Sequence, residues 1–101
     1  MEKFYKMAEG YSKRFPKGDE PFHMAARLLE ECGEVASEIH HFEDAGIKRQ
    51  KYGEPCKEKL ANELRQAITV LFRIVAYYSV ESELEASIER SLWKMKEDGL
   101  I

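Results

Sequence analysis

Hydrophobic residues recur every three or four positions along most of this chain, which is the spacing of an α-helix that buries one face. A first segment of this kind covers about residues 2–14, and its apolar side carries Phe4, Met7, Ala8 and Tyr11. No segment shows the alternation of apolar and polar residues that is typical of a half-buried strand. The pattern therefore predicts an all-α protein.

The second predicted helix is long and covers about residues 20–43, with Asp19 as its N-cap. Its apolar residues form one stripe over about six turns, so that side of the helix should face the core. The stripe consists of Ala25, Leu28, Cys32, Val35, Ile39 and Phe42.

The third predicted helix covers about residues 57–78 and is apolar on more than one side. Val70, Phe72 and Tyr77 lie outside its main stripe, so the helix needs more than one neighbour. A short chain offers few neighbours, and we therefore expect burial against a second copy, as a homodimer or a dimer of dimers. The main stripe is Leu60, Leu64, Ala67, Ile68, Leu71, Ile74, Val75 and Tyr78.

The fourth predicted helix begins at Ser82, whose hydroxyl would form a capping box with Glu85, and ends before Gly99. A polar loop over residues 46–55 separates the second and third helices. The expected fold is a four-helix bundle, formed by residues 1–101 as a single domain and completed by dimerisation.

Composition excludes several classes of protein. The 101 residues are 44% hydrophobic and 35% charged, which argues against a disordered chain. The net charge of −3 disfavours a clamp for duplex nucleic acid, which needs clustered positive charge. No apolar run is long enough to span a membrane, and the charged first residues predict no signal peptide. Two cysteines, Cys32 and Cys56, suggest reduced thiols in the cytoplasm.

The second helix carries the most informative polar residues. Glu31, Glu34 and Glu38 share an arc of about 60° beside the apolar stripe. No Lys follows one turn later, so nothing on this helix is expected to offset their repulsion. A hard divalent cation such as Mg²⁺ would relieve it, because such cations prefer oxygen ligands. The alternative is that these glutamates are ordinary helix formers on a solvated face.

The third helix offers a counterpart in Glu63 and Gln66, which border its buried stripe. If the second and third helices pack as an antiparallel hairpin, these two side chains face Glu31 and Glu34. The four side chains would then line one pocket with oxygen atoms.

These stretches resemble the MazG-like, all-α nucleoside triphosphate pyrophosphohydrolases, a family with E-x-x-E on one helix and E-x-x-D on the next. Residues 31–34 read Glu-Cys-Gly-Glu and match the first motif, while residues 63–66 read Glu-Leu-Arg-Gln. Arg65 replaces the Gly of the family's second motif, and Gln66 replaces its Asp. The resemblance covers roughly residues 24–98.

The resemblance implies a hydrolase in which Glu31, Glu34 and Glu63, with Gln66 as a neutral ligand, hold Mg²⁺ or Mn²⁺. One carboxylate would help to activate a water that attacks a nucleoside triphosphate, which releases nucleoside monophosphate and pyrophosphate. A late lysine would contact phosphate. That lysine would be Lys94 or Lys96. Glu38, one further turn along the second helix, is an additional candidate on the substrate-binding side, where it can compensate for the charge that Gln66 lacks.

Two function classes remain open. One is the Mg²⁺-dependent pyrophosphohydrolase, and the other is a catalytically weak or inactive module of the same fold that binds a nucleotide or a protein. Weaker features are the basic loop of Lys48, Arg49, Lys51 and Lys57, which can contact phosphate or simply be solvated. Glu38 and His41 have the E-x-x-H spacing of di-iron bundles, but the third helix carries no second E-x-x-H.

Overall fold

The computed structural model describes residues 1–43 and 47–101, apart from the side chain of Lys48. Over these residues it contains helices and turns and no strand, so the predicted all-α class is confirmed. The elements are α1 (Glu2–Arg14), a 3₁₀ turn (Pro16–Asp19), α2 (Pro21–Glu43), α3 (Ile47–Tyr52), α4 (Lys57–Tyr78) and α5 (Glu81–Glu97). None of these helices is both long and apolar enough to cross a membrane.

The prediction of a plain loop over residues 46–55 was wrong. Ile47–Tyr52 forms a six-residue helix, and Gly53 follows it with a φ of 79°, a left-handed conformation that favours glycine. The backbone N–H of Gly53 donates to the carbonyl of Arg49 and closes the last turn. Gly46, the first residue of the predicted loop, lies outside the described residues.

Glu20, rather than the predicted Asp19, caps the start of α2. Its carboxylate accepts hydrogen bonds from the backbone N–H groups of Phe22, at 3.2 Å, and His23, at 2.9 Å. Asp19 is drawn away because it accepts from Arg73 of α4 and from Ser12 of α1. A tertiary ion pair has therefore replaced the local cap that the sequence suggested.

The capping box at Ser82 is also wrong, because the N-cap of α5 lies two residues earlier than predicted. Its N-cap is Val80, which has no side-chain cap, so Ser82 lies within the first turn. At the other end the prediction holds. Gly99 has a φ of 74°, and the N–H of Leu100 donates to the carbonyl of Met95 at 2.9 Å, as in a Schellman motif.

Helices α2 and α4 pack side by side and antiparallel. Lys59 near the start of α4 contacts Glu38 near the end of α2, while Val70 of α4 lines a cavity together with Met24 near the start of α2. Helix α1 lies against α4, where the rings of Phe4 and Tyr5 contact Phe72 at centroid distances of 5.2 and 4.9 Å. The predicted hairpin is confirmed.

The face of α2 that packs on α4 is rotated by about 60° from the predicted apolar stripe. Met24, Glu31 and Glu38, which are seven residues apart, are buried, whereas Cys32 and Ile39 of the predicted stripe are exposed. Two carboxylates thus occupy core positions that hydrophobicity assigned to apolar residues. An apolar strip of α2 is left uncovered.

The four-helix bundle is not closed within one chain. No residue of α5 is buried, and the radius of gyration is 16.8 Å, against about 13 Å for a compact chain of this length. The accessible surface is 7672 Å², against about 5,900 Å² expected from the mass. Three helices, α1, α2 and α4, form the core, and α5 extends beyond it.

Candidate metal centre

Three carboxylates from two helices meet between α2 and α4. Glu31 and Glu34 lie one turn apart on α2, and Glu63 comes from α4. One oxygen from each lies within 4.8 Å of the others, and no other group of three or more potential metal ligands occurs among the described residues. The side chain of Glu31 is only 2% exposed, that of Glu63 is half-buried, and Glu34 is exposed. The structure thus brings together the three glutamates that the sequence selected.

Two oxygens of this acidic cluster lack a hydrogen-bond donor. The Oε2 atoms of Glu31 and Glu63 are both buried without a partner. Ionised carboxylates only accept hydrogen bonds, so their mutual proximity does not satisfy them. Leaving a buried polar atom unpaired costs about 1–3 kcal/mol. Carboxylate oxygens without donors are the ligands that Mg²⁺ and Mn²⁺ prefer, so the residues present fit a hard divalent cation.

The electrostatics of the cluster raise the pKa values of two of its carboxyls, so these hold a proton more readily than free glutamates do. Burial is the largest cause that raises the pKa of Glu31, and the charge of Glu34 adds to it. The pKa of Glu63 is raised first by hydrogen bonding with Glu34, which favours the protonated form, and then by burial. A cation that enters the cluster would displace such a proton.

Arg27 corrects the expectation that nothing on α2 offsets the glutamates. Its guanidinium lies 2.9 Å from Glu31 Oε1, four residues along the helix, and 3.4 Å from Glu30 Oε2. Arg27 also acts to lower the pKa of Glu31, although burial outweighs it. One oxygen of Glu31 is therefore paired with Arg27, and the other is buried without a donor.

A cavity of about 340 Å³ adjoins the cluster, and Gln66 lines it together with Glu31 and Glu34. Arg65 lines the same cavity and donates to the hydroxyl of Tyr11 at 3.2 Å. Gln66 therefore lies beside Glu31 and Glu34, as the sequence predicted, but Glu63 does not line this cavity with them. Arg65 adds a positive charge at the edge of the site.

Glu38 lies in a separate polar cavity of about 310 Å³, with His41, Tyr52 and Lys59. Its Oε1 atom is 3.3 Å from Lys59 Nζ, and its Oε2 atom is buried without a partner. Glu38 still raises the pKa of Glu63 through its charge. His41 Nε2 bonds to the carbonyl oxygen of Gly53 at 2.8 Å. Glu38 and His41 thus face one cavity, and no third metal ligand joins them among the described residues.

Lys94 and Lys96 are not brought to the acidic cluster within one chain. Both lie in the last turn of α5, and Lys94 is 3.5 Å from Asp98. No residue of α5 lines the cavity beside the cluster. In the predicted basic loop, Arg49 donates to the carbonyl of Phe42 and contacts Glu54, while the side chain of Lys48 lies outside the described residues.

Two functional candidates escaped the sequence analysis: Arg27 and Arg73, which both line the cavity beside the cluster. Arg27 had a detectable signal, since it precedes Glu31 by four residues. Arg73 had none, because its partner Asp19 is 54 positions away in the sequence. The orientation of Tyr11 toward Arg65 also depends on how α1 packs on α4.

In comparisons with known proteins, no protein-family model, no curated protein and no solved structure matches this chain. The function has to be inferred from the site itself.

Proposed function

We propose that this chain is a MazG-like nucleoside triphosphate pyrophosphohydrolase that depends on Mg²⁺ or Mn²⁺ and releases nucleoside monophosphate and pyrophosphate. The observation that carries the proposal is the meeting of Glu31, Glu34 and Glu63, with buried oxygens that have no donor. The motif resemblance selects the reaction class, and three carboxylates gathered between two helices support it.

Glu31, Glu34 and Glu63 would hold the cation, and the amide oxygen of Gln66 would serve as a neutral ligand. When bound, the cation supplies neutralisation of phosphate charge and polarisation of the phosphoryl oxygens. Glu31 is held in place by Arg27 and by its burial, so it needs little reorganisation to act as a ligand.

The chain's own residues have distinct roles in this proposal. Glu34 is the exposed member of the cluster and faces the cavity, so its carboxylate would take a proton from the attacking water. Arg27, Arg65 and Arg73 line the same cavity and would orient the phosphate groups, since a guanidinium matches phosphate geometry. A cavity that is lined by both carboxylates and guanidinium groups suits a ligand whose phosphate groups are bound to a metal ion.

We further propose that two copies form a homodimer, alone or within a dimer of dimers. Leu64, Leu71 and Tyr78 of α4 are exposed, and the half-buried Ile68 and Val75 alternate with them at spacings of four and three. This is the spacing of a seam between paired helices. The surface exceeds that of a compact chain by about 1,800 Å², more than the about 800 Å² that each partner buries in a standard interface.

A dimer would also give α5 a neighbour and offers the remaining route by which Lys94 or Lys96 reaches an acidic cluster, namely that of a second copy. The free thiols of Cys32 and Cys56, both exposed, fit a reducing compartment such as the cytoplasm.

The second candidate function is a module that binds nucleotide or a protein partner without turnover. One observation favours it: Arg27 already occupies an oxygen of Glu31 at 2.9 Å, which partly satisfies the cluster without a cation. Gln66 also favours this second candidate, because its side chain supplies no negative charge to a bound cation.

A pyrophosphate-release assay tests the proposal. A panel of ribo- and deoxyribonucleoside triphosphates is incubated with Mg²⁺, Mn²⁺ or chelator. We expect release that requires the metal, that is lost in Glu34→Gln and Glu63→Gln, and that is kept in Glu89→Gln, an exposed glutamate of α5. Metal-dependent nucleotide binding without release would instead support the inactive module. Absence of both would refute the metal site.

A further inference from the structure

A cavity of about 750 Å³ lies at the corner where α1, the 3₁₀ turn and α2 meet, and its lining is strongly basic. No Asp or Glu lines it. The chain as a whole carries a net charge of −3, so this concentration of positive charge is local. The charged or titratable groups around the cavity are Arg14, Lys17, His23, Arg27 and Arg73.

Three of these groups, Arg14, Lys17 and His23, have no ion pair or side-chain hydrogen bond among the described residues. Lys13, which precedes Arg14 on α1, is different, because its Nζ lies 3.0 Å from Glu9 Oε1. Cations that line one cavity repel one another, and a bound anion would relieve the repulsion.

Arg73 provides a rigid wall for this cavity. Its guanidinium donates to Asp19 Oδ1 through Nε at 2.9 Å and lies 2.8 Å from the same oxygen through Nη2, which also donates to the carbonyl of Phe15 at 3.0 Å. The backbone approaches so closely that a Cβ at Gly18 would lie 2.6 Å from Nη2. This guanidinium is therefore fixed before any ligand binds.

The basic cavity continues into the cavity beside the acidic cluster. Tyr11, Gly18, Arg27 and Arg73 line both. One cleft therefore has carboxylates at one end and unpaired cations at the other. Arg27 lies between the two ends, since it contacts Glu31 and also lines the basic cavity.

We propose that this basic corner is an anion site that binds phosphate groups without a divalent cation. Arginine and lysine are the side chains that proteins use for phosphate, and a guanidinium can donate two parallel hydrogen bonds to it. The inference goes beyond the proposed hydrolysis, because it requires neither the metal nor turnover. The phosphates can belong to a nucleotide or to an inorganic oligophosphate.

Calorimetric titration in chelator and low salt tests the proposal with three probes: inorganic tripolyphosphate, ATP and adenosine. We expect tripolyphosphate and ATP to bind with affinities within about threefold of each other, and adenosine not to bind, because the phosphate charges carry the interaction. Binding of adenosine, or no binding of either anion, would overturn the proposal.

Variants locate the site. The double variant Arg14→Ala with Lys17→Ala should bind tripolyphosphate at least about tenfold more weakly, a loss of about 1.4 kcal/mol. Lys13→Ala removes a neighbouring charge outside this cavity and should bind as the wild type does. Both changed residues are exposed, and an unchanged melting temperature would show that the double variant is folded. Equal losses in Lys13→Ala would indicate attraction by the whole surface and overturn the site.

The metal centre is tested separately by Glu34→Gln, which should keep the binding of tripolyphosphate in chelator. Retained anion binding in a protein that shows no metal dependence would leave this inference standing and refute the proposed hydrolysis. Loss of anion binding in Glu34→Gln, with the fold intact, would contradict an anion site that is independent of the cluster.

Discussion

The guanidinium of Arg27 lies 2.9 Å from the carboxylate of Glu31, although the two side chains differ sharply in exposure, at 47% and 2%. A half-exposed cation therefore neutralises one oxygen of a buried anion. The other oxygen is buried without a donor, and Glu34 and Glu63 lie beside the same side chain. Arg27 thus reduces the free energy by which the acidic cluster destabilises the fold when no metal ion is bound.

Arg27→Ala should destabilise the protein in chelator by about 1–2 kcal/mol, because Glu31 loses the only cation paired with it among the described residues. Stabilisation of the fold by Mg²⁺ should increase, because Mg²⁺ no longer competes with the Arg27 guanidinium for Glu31. Chemical denaturation with and without Mg²⁺ measures both effects. The control is Arg90→Ala, an exposed arginine of α5 without an ion pair there. Equal stability of Arg27→Ala and wild type in chelator would contradict this role.

Mg²⁺ or Mn²⁺ should raise the melting temperature of the wild type, because a ligand of the native state stabilises it. At about 100 times the Kd the gain is about 2.7 kcal/mol. Glu34→Gln should abolish the rise, whereas Glu30→Gln, which changes an exposed neighbour of Glu31, should retain it. If neither metal changes the melting temperature of the wild type, the cluster is not a metal site.

Stability in chelator should fall as the pH rises above the ordinary glutamate pKa of 4.5. The pKa values of Glu31 and Glu63 are raised in the folded chain, so the native state binds more protons than the unfolded state in this window. The stabilisation that these two carboxyls contribute when protonated is complete below pH 4.5. It is lost as the pH rises through their raised pKa values.

Comparison with Glu31→Gln isolates this effect from the other titrating groups. The variant mimics the protonated carboxyl, so its stability relative to wild type should improve from acidic to neutral pH. If the difference in stability between Glu31→Gln and wild type does not change with pH, the raised pKa values of the cluster are contradicted. Mg²⁺ should remove the trend in the wild type.

Gln66→Asp should have opposite effects with and without metal. The added carboxylate joins Glu31 and Glu34 around one cavity, so in chelator it should lower the melting temperature. With Mg²⁺, affinity should increase about tenfold, equivalent to about 1.4 kcal/mol, and pyrophosphate release should be equal or higher. Gln50→Asp, at an exposed position of α3, is the control. If neither metal affinity nor stability in chelator changes, Gln66 does not act on the cluster.

Leu71→Glu should convert the proposed homodimer to monomers, since it places a charge in the exposed seam of α4. Leu29→Glu makes the same change at an exposed leucine of α2 outside the seam and should leave the dimer intact. Sedimentation at micromolar concentration distinguishes the two. A stable wild-type monomer of 11.8 kDa would refute the dimer.

The sequence predicted the long helices well because their periodicity extends over many turns. The bounds predicted for α1 and α4 match those observed, and α2 begins within one residue. Helix α3 was missed because six residues are too few for periodicity to emerge. The rotation of α2 was missed because hydrophobicity ranks glutamates as exposed, whereas Glu31 and Glu38 are buried.

The candidate site was only partly predictable, for a different reason. Glu31, Glu34 and Glu63 are separated along the chain by a helical spacing and a hairpin, both of which the sequence encodes locally. The basic corner depends on the contact between Arg73 and Asp19, which are 54 positions apart. No local pattern specifies such a pair, so that end of the cleft required the folded structure.

Helix α5 has a consequence for how this protein folds. Its 17 residues bury no side chain within the chain, and an isolated helix of this length is marginal in water. If its missing contacts come from a second copy, forming α5 is a bimolecular step that follows the unimolecular packing of α1, α2 and α4. Dilution would then melt α5 first. The concentration of the chain in the cell would set the fraction of molecules in which α5 is formed.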